Sequence, residues 1–228
     1  MDNIGTFEDF RHFAIDKCKV SASFLDSQAN KPTSFIVPTV IEERPTAQRI
    51  SEINVYSRLV QDRILFLNGE VNQDSCNTLV AQLLYLSSVD DRDINLYISS
   101  PGGDVVSGLS VIDTMNFIKP SVSTTCIGMA ASMGAVILSN GEKGKRFVLP
   151  HSRVMIHSVS SQHGGHTADI KIEMEQTLRC QNDLYEILAK NMGKSFEEIE
   201  KMCERDKWLI GQEAIDMGIA DKLITKQD

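Results

Sequence analysis

The chain has 228 residues, 42% of them hydrophobic and 24% charged, enough to bury a full core without metals or disulfides. Its 23 basic residues against 31 acidic ones leave a net charge of -8, which argues against a general nucleic-acid binder, since that needs a basic footprint. No run of about 18 apolar residues is present to form a membrane-spanning helix, and the acidic opening MDNIGTFEDFRHFAIDKC lacks the character of a secretory signal or a transit peptide.

In chain order, residues 1–34 are polar and weakly periodic, with NKPTS near their end, and read as a flexible or removable leader. FIVPTVIEERPTAQRIS, from Phe35 to Ser51, has two prolines and a charged second half and reads as a mobile arm rather than a packed element. From Ile53 onward, strand-like and helix-like runs alternate. Arg63–Leu67 predicts a strand. Asp74 or Ser75 then caps a predicted helix with Leu79, Val80, Leu83 and Leu84 on one face. Ile94–Ile98 is the next strand and runs into Ser100-Pro-Gly-Gly103, a sharp turn, before a helix from Val105 to about Ile118 ended by Pro120. Val122–Ile127 is a third strand, followed by Gly128 and a helix through Met133 to Leu138. Arg146–Leu149 and Val154–Ile156 are further strands. This alternation predicts an α/β domain with a largely parallel sheet.

Thr167 to about Met192 predicts one long helix, near 39 Å at ~1.5 Å per residue. Ile170, Met174, Leu178, Tyr185, Leu188 and Met192 form one apolar row, widened by Ile172, Leu184 and Ile187. A stripe this wide suits packing against a second subunit as well as the helix's own core; an ordinary core helix is the plainer alternative. The five cysteines, Cys18, Cys76, Cys126, Cys180 and Cys203, form no CxxC pair and are expected as free thiols in a reducing cytoplasm.

Gly128-Met-Ala-Ala-Ser132-Met-Gly-Ala135 places a single serine among small residues at a strand-to-helix turn. Small neighbours let a substrate backbone approach, and a helix N-terminus offers unpaired N–H groups to the oxygen that turns negative when an acyl carbon is attacked. The segment resembles a nucleophile elbow without matching GxSxG, and a purely structural turn explains it equally well. The Ser100–Gly103 turn offers a second exposed N–H, although most such glycine pairs are simple turns. Among the histidines, His12 lies in the leader and His151 in a predicted turn after Pro150. His163 and His166 flank Gly164-Gly165; with no HExxH motif or cysteine partner they make weak metal ligands. Only His157 ends an apolar strand. Asp206, in Glu204-Arg205-Asp206, is one orienting acid among many, and spacing alone does not select it.

Together, GMAASMGA around Ser132, SRVMIH ending at His157, SPGG at Gly103, DTMNFIKP from Asp113 and ERDKW around Asp206 resemble the Clp protease proteolytic subunit family over about residues 35–226. The resemblance implies the ClpP/crotonase-like spiral of repeated ββα units with a projecting handle, here about residues 158–192, on a single catalytic domain from residue 53. It implies a Ser132, His157, Asp206 triad, with the backbone N–H groups of Gly103 and Met133 as the oxyanion hole. It also implies two stacked seven-membered rings of this chain, joined handle to handle and enclosing a chamber, with Asp169 and Arg205 paired across the ring junction. Because Arg205 adjoins Asp206, ring contact and triad geometry would be linked. Residues 35–52 match the axial pore loop, and the leader matches a propeptide cut near Ser34-Phe35.

Tyr97, Phe117, Phe147, Leu149 and Ile224 match the cleft that docks a hexameric AAA+ unfoldase, which would consume the ATP. This chain would need no cofactor and no metal, act on polypeptides in the cytoplasm, and bind neither nucleic acid nor membrane. The sequence departs from the family at Ser161-Gln162, where a Gly-Gly pair is common, and at the cleft positions Asn95 and Thr125. Two rival readings are an enoyl-CoA hydratase or isomerase on a related spiral, working through carboxylates, and an inactive ring subunit that only scaffolds active paralogues.

Overall fold

The computed structural model describes residues 39–43 and 50–226; the leader and the first residues of the arm lie outside them. The chain divides into two units, one up to Tyr56 and one from Ser57. In the first, β1 (Thr39–Glu43) pairs antiparallel with β2 (Ile50–Asn54), Thr39 opposite Asn54 and Glu43 opposite Ile50. Two short paired strands thus lie within the stretch that the sequence reads as an arm. Thr39, Val40, Ile41, Ile50 and Ile53 favour extended backbone.

The second unit takes in α1 (Val55–Gln61) from Ser57 onward. Its elements are β3 (Ile64–Val71), α2 (Gln73–Val89), β4 (Ile94–Gly103), α3 (Val105–Phe117), β5 (Val122–Ala131) and α4 (Met133–Ser139). Then come β6 (Arg146–Val148), β7 (Arg153–Ile156), α5 (Thr167–Met192), α6 (Phe196–Cys203), β8 (Lys207–Ile210), α7 (Gln212–Asp216) and β9 (Lys222–Leu223). The sheet runs β3-β4-β5-β6-β9, and the second half of β5 also pairs with β7, which in turn pairs with β8. Every pairing is parallel except β7 with β8. The helices return the chain between parallel strands, and burial alternates along β4: Ile94, Leu96 and Ile98 are buried in the core, whereas Asn95, Tyr97 and Ser99 on the other face are partly exposed.

The α2 boundary differs from the sequence expectation. The N-cap is Asn72, whose side chain accepts from the Ser75 N–H at 3.0 Å while the Ser75 hydroxyl accepts from the Asn72 N–H at 3.1 Å. Ser75 is thus the reciprocal member of the capping box rather than the cap. The buried stripe is Cys76, Leu79, Leu83 and Leu86, and Leu84 turns to solvent. At the far end of α2 no glycine closes the helix. Arg63, buried and held at φ +64, fills that role from before β3. Its guanidinium donates to the carbonyls of Leu86 (3.1 Å), Arg92 (2.7 Å) and Asp93 (3.1 Å), and Asp90 lies 3.1 Å away as its counter-ion.

A second buried ion pair ties the late elements together. Arg146 on β6 meets Asp221, just before β9, at 2.6 Å, and also donates to the carbonyls of Ser139 and Asn191, the latter at the end of α5.

The long helix α5 has the predicted extent. Only its second half packs on the core of its own chain, through Leu184, Tyr185, Leu188 and Met192, with Tyr185 edge-on to Phe196 at 5.7 Å. In its first half Ile172, Met174 and Leu178 are exposed, Ile172 at 66%.

Candidate active site

Three strand ends build the site. β5 finishes at Ala131, and Ser132 follows as the residue before α4 at φ 53, ψ -124. Among the described residues only Ser132 and Arg63 are non-glycines with positive φ; such a backbone is costly and holds the hydroxyl out of the turn. The Ser132 N–H donates to the Met155 carbonyl at 2.8 Å, which locks the turn to β7. That amide is spent, so oxyanion donors must come from elsewhere.

Parallel pairing of Ala131 with Met155 places Ser132 beside the end of β7, where His157 emerges one residue after Ile156. The Ser132 Oγ and His157 Nε2 lie 2.9 Å apart. The antiparallel β7–β8 register sets Ile156 opposite Lys207, so the next residue outward on each strand, His157 and Asp206, face each other. His157 Nδ1 is 3.4 Å from the Asp206 carboxylate. This exceeds the ~2.7–2.9 Å of a close charge-assisted bond, and the Asp206 side chain is 62% exposed. Register, which sequence spacing does not reveal, singles out Asp206 among the carboxylates. The Ser158 N–H donates to the Cys203 carbonyl at 2.8 Å and ties the far side of His157 to the end of α6.

The end of β4 closes the site from the other side. Gly102 sits at φ +92, and a Cβ there would lie 2.6 Å from Ser132 Cβ and 2.7 Å from the Ala131 carbonyl. Only glycine lets these two turns approach so closely. Gly103 is exposed beside Ser132, and Met133 opens α4, where N–H groups of the first turn have no intrahelical acceptor. Asp104 caps α3 by accepting from the Ser107 N–H at 2.7 Å. A cavity of about 230 Å³ opens beside Ser132 and His157, with Val136, Met155, Leu184, Tyr185 and Leu188 supplying an apolar wall.

The other candidate residues are placed as follows. His151 is exposed in a turn, and His166 is the residue before α5. His163 has both ring nitrogens engaged, with Ser161, Glu173 and Thr177. Asp169 and Arg205 are both exposed, and among the described residues no ion pair joins them within the chain. Tyr97, Thr125 and Phe147 stand in register across β4, β5 and β6. Neighbours in register share a sheet face, and so do Asn95, Leu149 and Ile224, two residues along their strand lines. The sequence reading missed Phe66, which is in register with Tyr97 and stacks on it at 5.7 Å between ring centroids. Its signal was its parity with Tyr97 in the adjacent strand. Phe117 lies apart from this row at the end of α3 and is 83% exposed.

The four described cysteines, Cys76, Cys126, Cys180 and Cys203, are free thiols. Burial raises those of Cys126 and Cys203 to about 11 each. Among the described residues no helix is long and apolar enough to cross a membrane.

A sequence model of the Clp protease family matches residues 47–227. A Porphyromonas gingivalis protein named ATP-dependent Clp protease proteolytic subunit is 42% identical over 219 residues, covering 96% of this chain and 98% of the relative. A Bacteroides fragilis protein of the same name is also 42% identical, over 221 residues, covering 96% of this chain and all of the relative. With similarity running from the arm to the last strand, through all three strand ends that converge on Ser132, this chain belongs to the Clp protease family.

Proposed function

We infer that the chain is the serine endopeptidase core of an ATP-dependent Clp protease, and that Ser132, His157 and Asp206 carry its chemistry. The observation that carries the reading is the Ser132–His157 contact of 2.9 Å at the mouth of an apolar cavity, with Asp206 on the opposite ring nitrogen. The carboxylate at Nδ1 favours the tautomer with its proton there, which leaves Nε2 free to take the proton from Ser132. Ser132 attacks the peptide carbonyl, and His157 then returns that proton to the leaving amine. The N–H groups of Gly103 and Met133 receive the oxyanion, since the Ser132 amide is occupied by Met155. The apolar wall around Val136, Leu184 and Leu188 favours an apolar side chain before the cut.

The finer assignments extend this reading. Fourteen copies stack as two heptameric rings, and the exposed Ile172, Met174 and Leu178 on α5 supply the apolar surface of that junction. Asp169 and Arg205 pair across it, and because Arg205 adjoins Asp206, assembly would draw the 3.4 Å contact with His157 closer. A hexameric AAA+ unfoldase docks on the sheet face formed by Tyr97, Phe147, Leu149 and Ile224, together with the exposed Phe117 at the end of α3, and consumes the ATP. The chain itself uses no cofactor, and unpaired thiols suit a reducing cytoplasm.

The test is cleavage of a short fluorogenic peptide by wild type and Ser132→Ala, each sized by light scattering. The wild type is expected to cleave as a particle of fourteen subunits. The variant is expected to assemble equally and to lose roughly 10⁶ in turnover. A wild-type ring that neither cleaves nor reacts with a fluorophosphonate would point to a scaffold subunit.

A further inference from the structure

We propose that His163 is a positioning residue that fastens one wall of the catalytic groove to α5. The proposal rests on the reading of Ser132 and His157 as the reacting pair. Ser158, Val159 and Ser160 line the cavity that holds them. Val159 and Ser160, with Gly103 and Val105, also border a second, more polar cavity of about 510 Å³, so the groove continues past them to Gln162 and His163. This wall belongs to no strand or helix. Among the described residues, Ser160–Gly165 make no backbone–backbone hydrogen bond, and the Val159 N–H is held by the Gln181 side chain of α5 at 3.3 Å.

His163 supplies the missing attachment. Its Nδ1 lies 3.2 Å from a Glu173 carboxylate oxygen, and its Nε2 lies 2.9 Å from Ser161 Oγ and 3.3 Å from Thr177 Oγ1. Glu173 and Thr177 are one turn apart on the same face of α5, so the ring spans that turn. The partners assign the tautomer. Nδ1 faces a carboxylate and carries the proton, while Nε2 accepts from the Ser161 hydroxyl, since the Thr177 hydroxyl already donates to the Glu173 carbonyl at 3.0 Å. The His163 side chain is only 18% exposed, whereas Gln162, Gly164 and Gly165 on either side are exposed. Behind the ring, Gly164 and Gly165 have open space around them and the widest backbone freedom. His163 therefore decides whether the wall stands ordered before a peptide arrives or must be ordered by it. Ordering the wall in advance lowers the cost of binding an extended chain along it and leaves the reaction at Ser132 unchanged.

The experiment compares assembled wild type, His163→Ala and His163→Gln, whose amide can donate to Glu173 and accept from Ser161. KM and kcat are measured on a ten-residue peptide, and a small fluorophosphonate reports the labelling rate of Ser132. Losing two hydrogen bonds, each worth about fivefold, is expected to raise KM in His163→Ala by about five- to thirtyfold. The kcat and labelling rate are expected to stay within twofold, and His163→Gln to recover most of the KM. An unchanged KM in His163→Ala would overturn the proposal. So would labelling that slows in step with KM, or a Gln variant that assembles normally but recovers nothing. A wild type that does not label at all would instead remove the reading of Ser132, a separate failure.

Discussion

Replacing Gly102 with alanine tests how closely the β4 turn seats the nucleophile. The added Cβ would lie 2.6 Å from Ser132 Cβ, while ordinary contact begins at 3.4 Å, so one of the two turns must retreat by about 0.8 Å. The displaced atom is one bond from Oγ. A shift of that size at Ser132 would take Oγ out of its 2.9 Å alignment with His157 Nε2. A misplacement of about 1 Å typically costs on the order of 10²-fold in rate. Alanine at φ +92 also carries a backbone cost of about 1–2 kcal/mol. Gly69→Ala separates the two effects, since it has φ +84 with no heavy atom within 4 Å of the added Cβ. Both variants should show the backbone cost in thermal unfolding, and Gly102→Ala should lose about 1–3 kcal/mol more through the clash. Only Gly102→Ala should lose about two orders of magnitude in fluorophosphonate labelling and peptide turnover. Labelling of Gly102→Ala within twofold of Gly69→Ala would refute the argument that this turn fixes Ser132.

Two other outcomes are expected. Asp221→Asn leaves the buried Arg146 without its counter-ion and should destabilise the fold by about 3 kcal/mol at pH 7 in chemical denaturation. The Asp221 carboxyl is pushed up by burial but pulled further down by hydrogen bonds and charge from Arg146, so it lies below its ordinary value. Its contribution is complete above about pH 4 and fades as pH falls through the lower folded value, so wild type and Asp221→Asn should converge in acid. Cys126 and Cys203, with thiols raised to about 11 by burial, should resist iodoacetamide in the native protein at pH 8 and react fully in guanidinium; mass spectrometry of digests reads this directly.

Local pattern carried most of the fold. The extent of helix α5, read as Thr167 to about Met192, is legible in its apolar spacing, and Gly193 at φ +67 stops it there. Strand ends were less legible. β4 and β5 both run several residues past their apolar stretches, through SPGG and through Gly128, because neighbouring backbone rather than side-chain pattern keeps them paired. After Gly193 the apolar spacing is too short to mark a helix, although Ser195 and Glu198 spell a capping box and form it at 2.8 and 3.2 Å to open α6. In the site, Ser132 and His157 could be proposed from their places at strand ends. Asp206 could not, because its selection depends on the register of a β7–β8 pair separated by some fifty residues of chain, and no local signal encodes that register.

Arg63 bears on the order in which this chain can become structured during synthesis. The residue that ends α2 is made before the helix begins, and its acceptors Leu86, Arg92 and Asp93 emerge 23 to 30 residues later. Until they arrive the guanidinium is solvated, and the end of the helix has no local stop signal to define it. A peptide cut at residues 72–93 should therefore fray at its C-terminus, whereas one starting before Arg63 should not. The smallest stretch able to settle the end of α2 thus runs from Arg63 through β3 and the helix to Asp93, so this boundary becomes defined only when the whole of that stretch has been made.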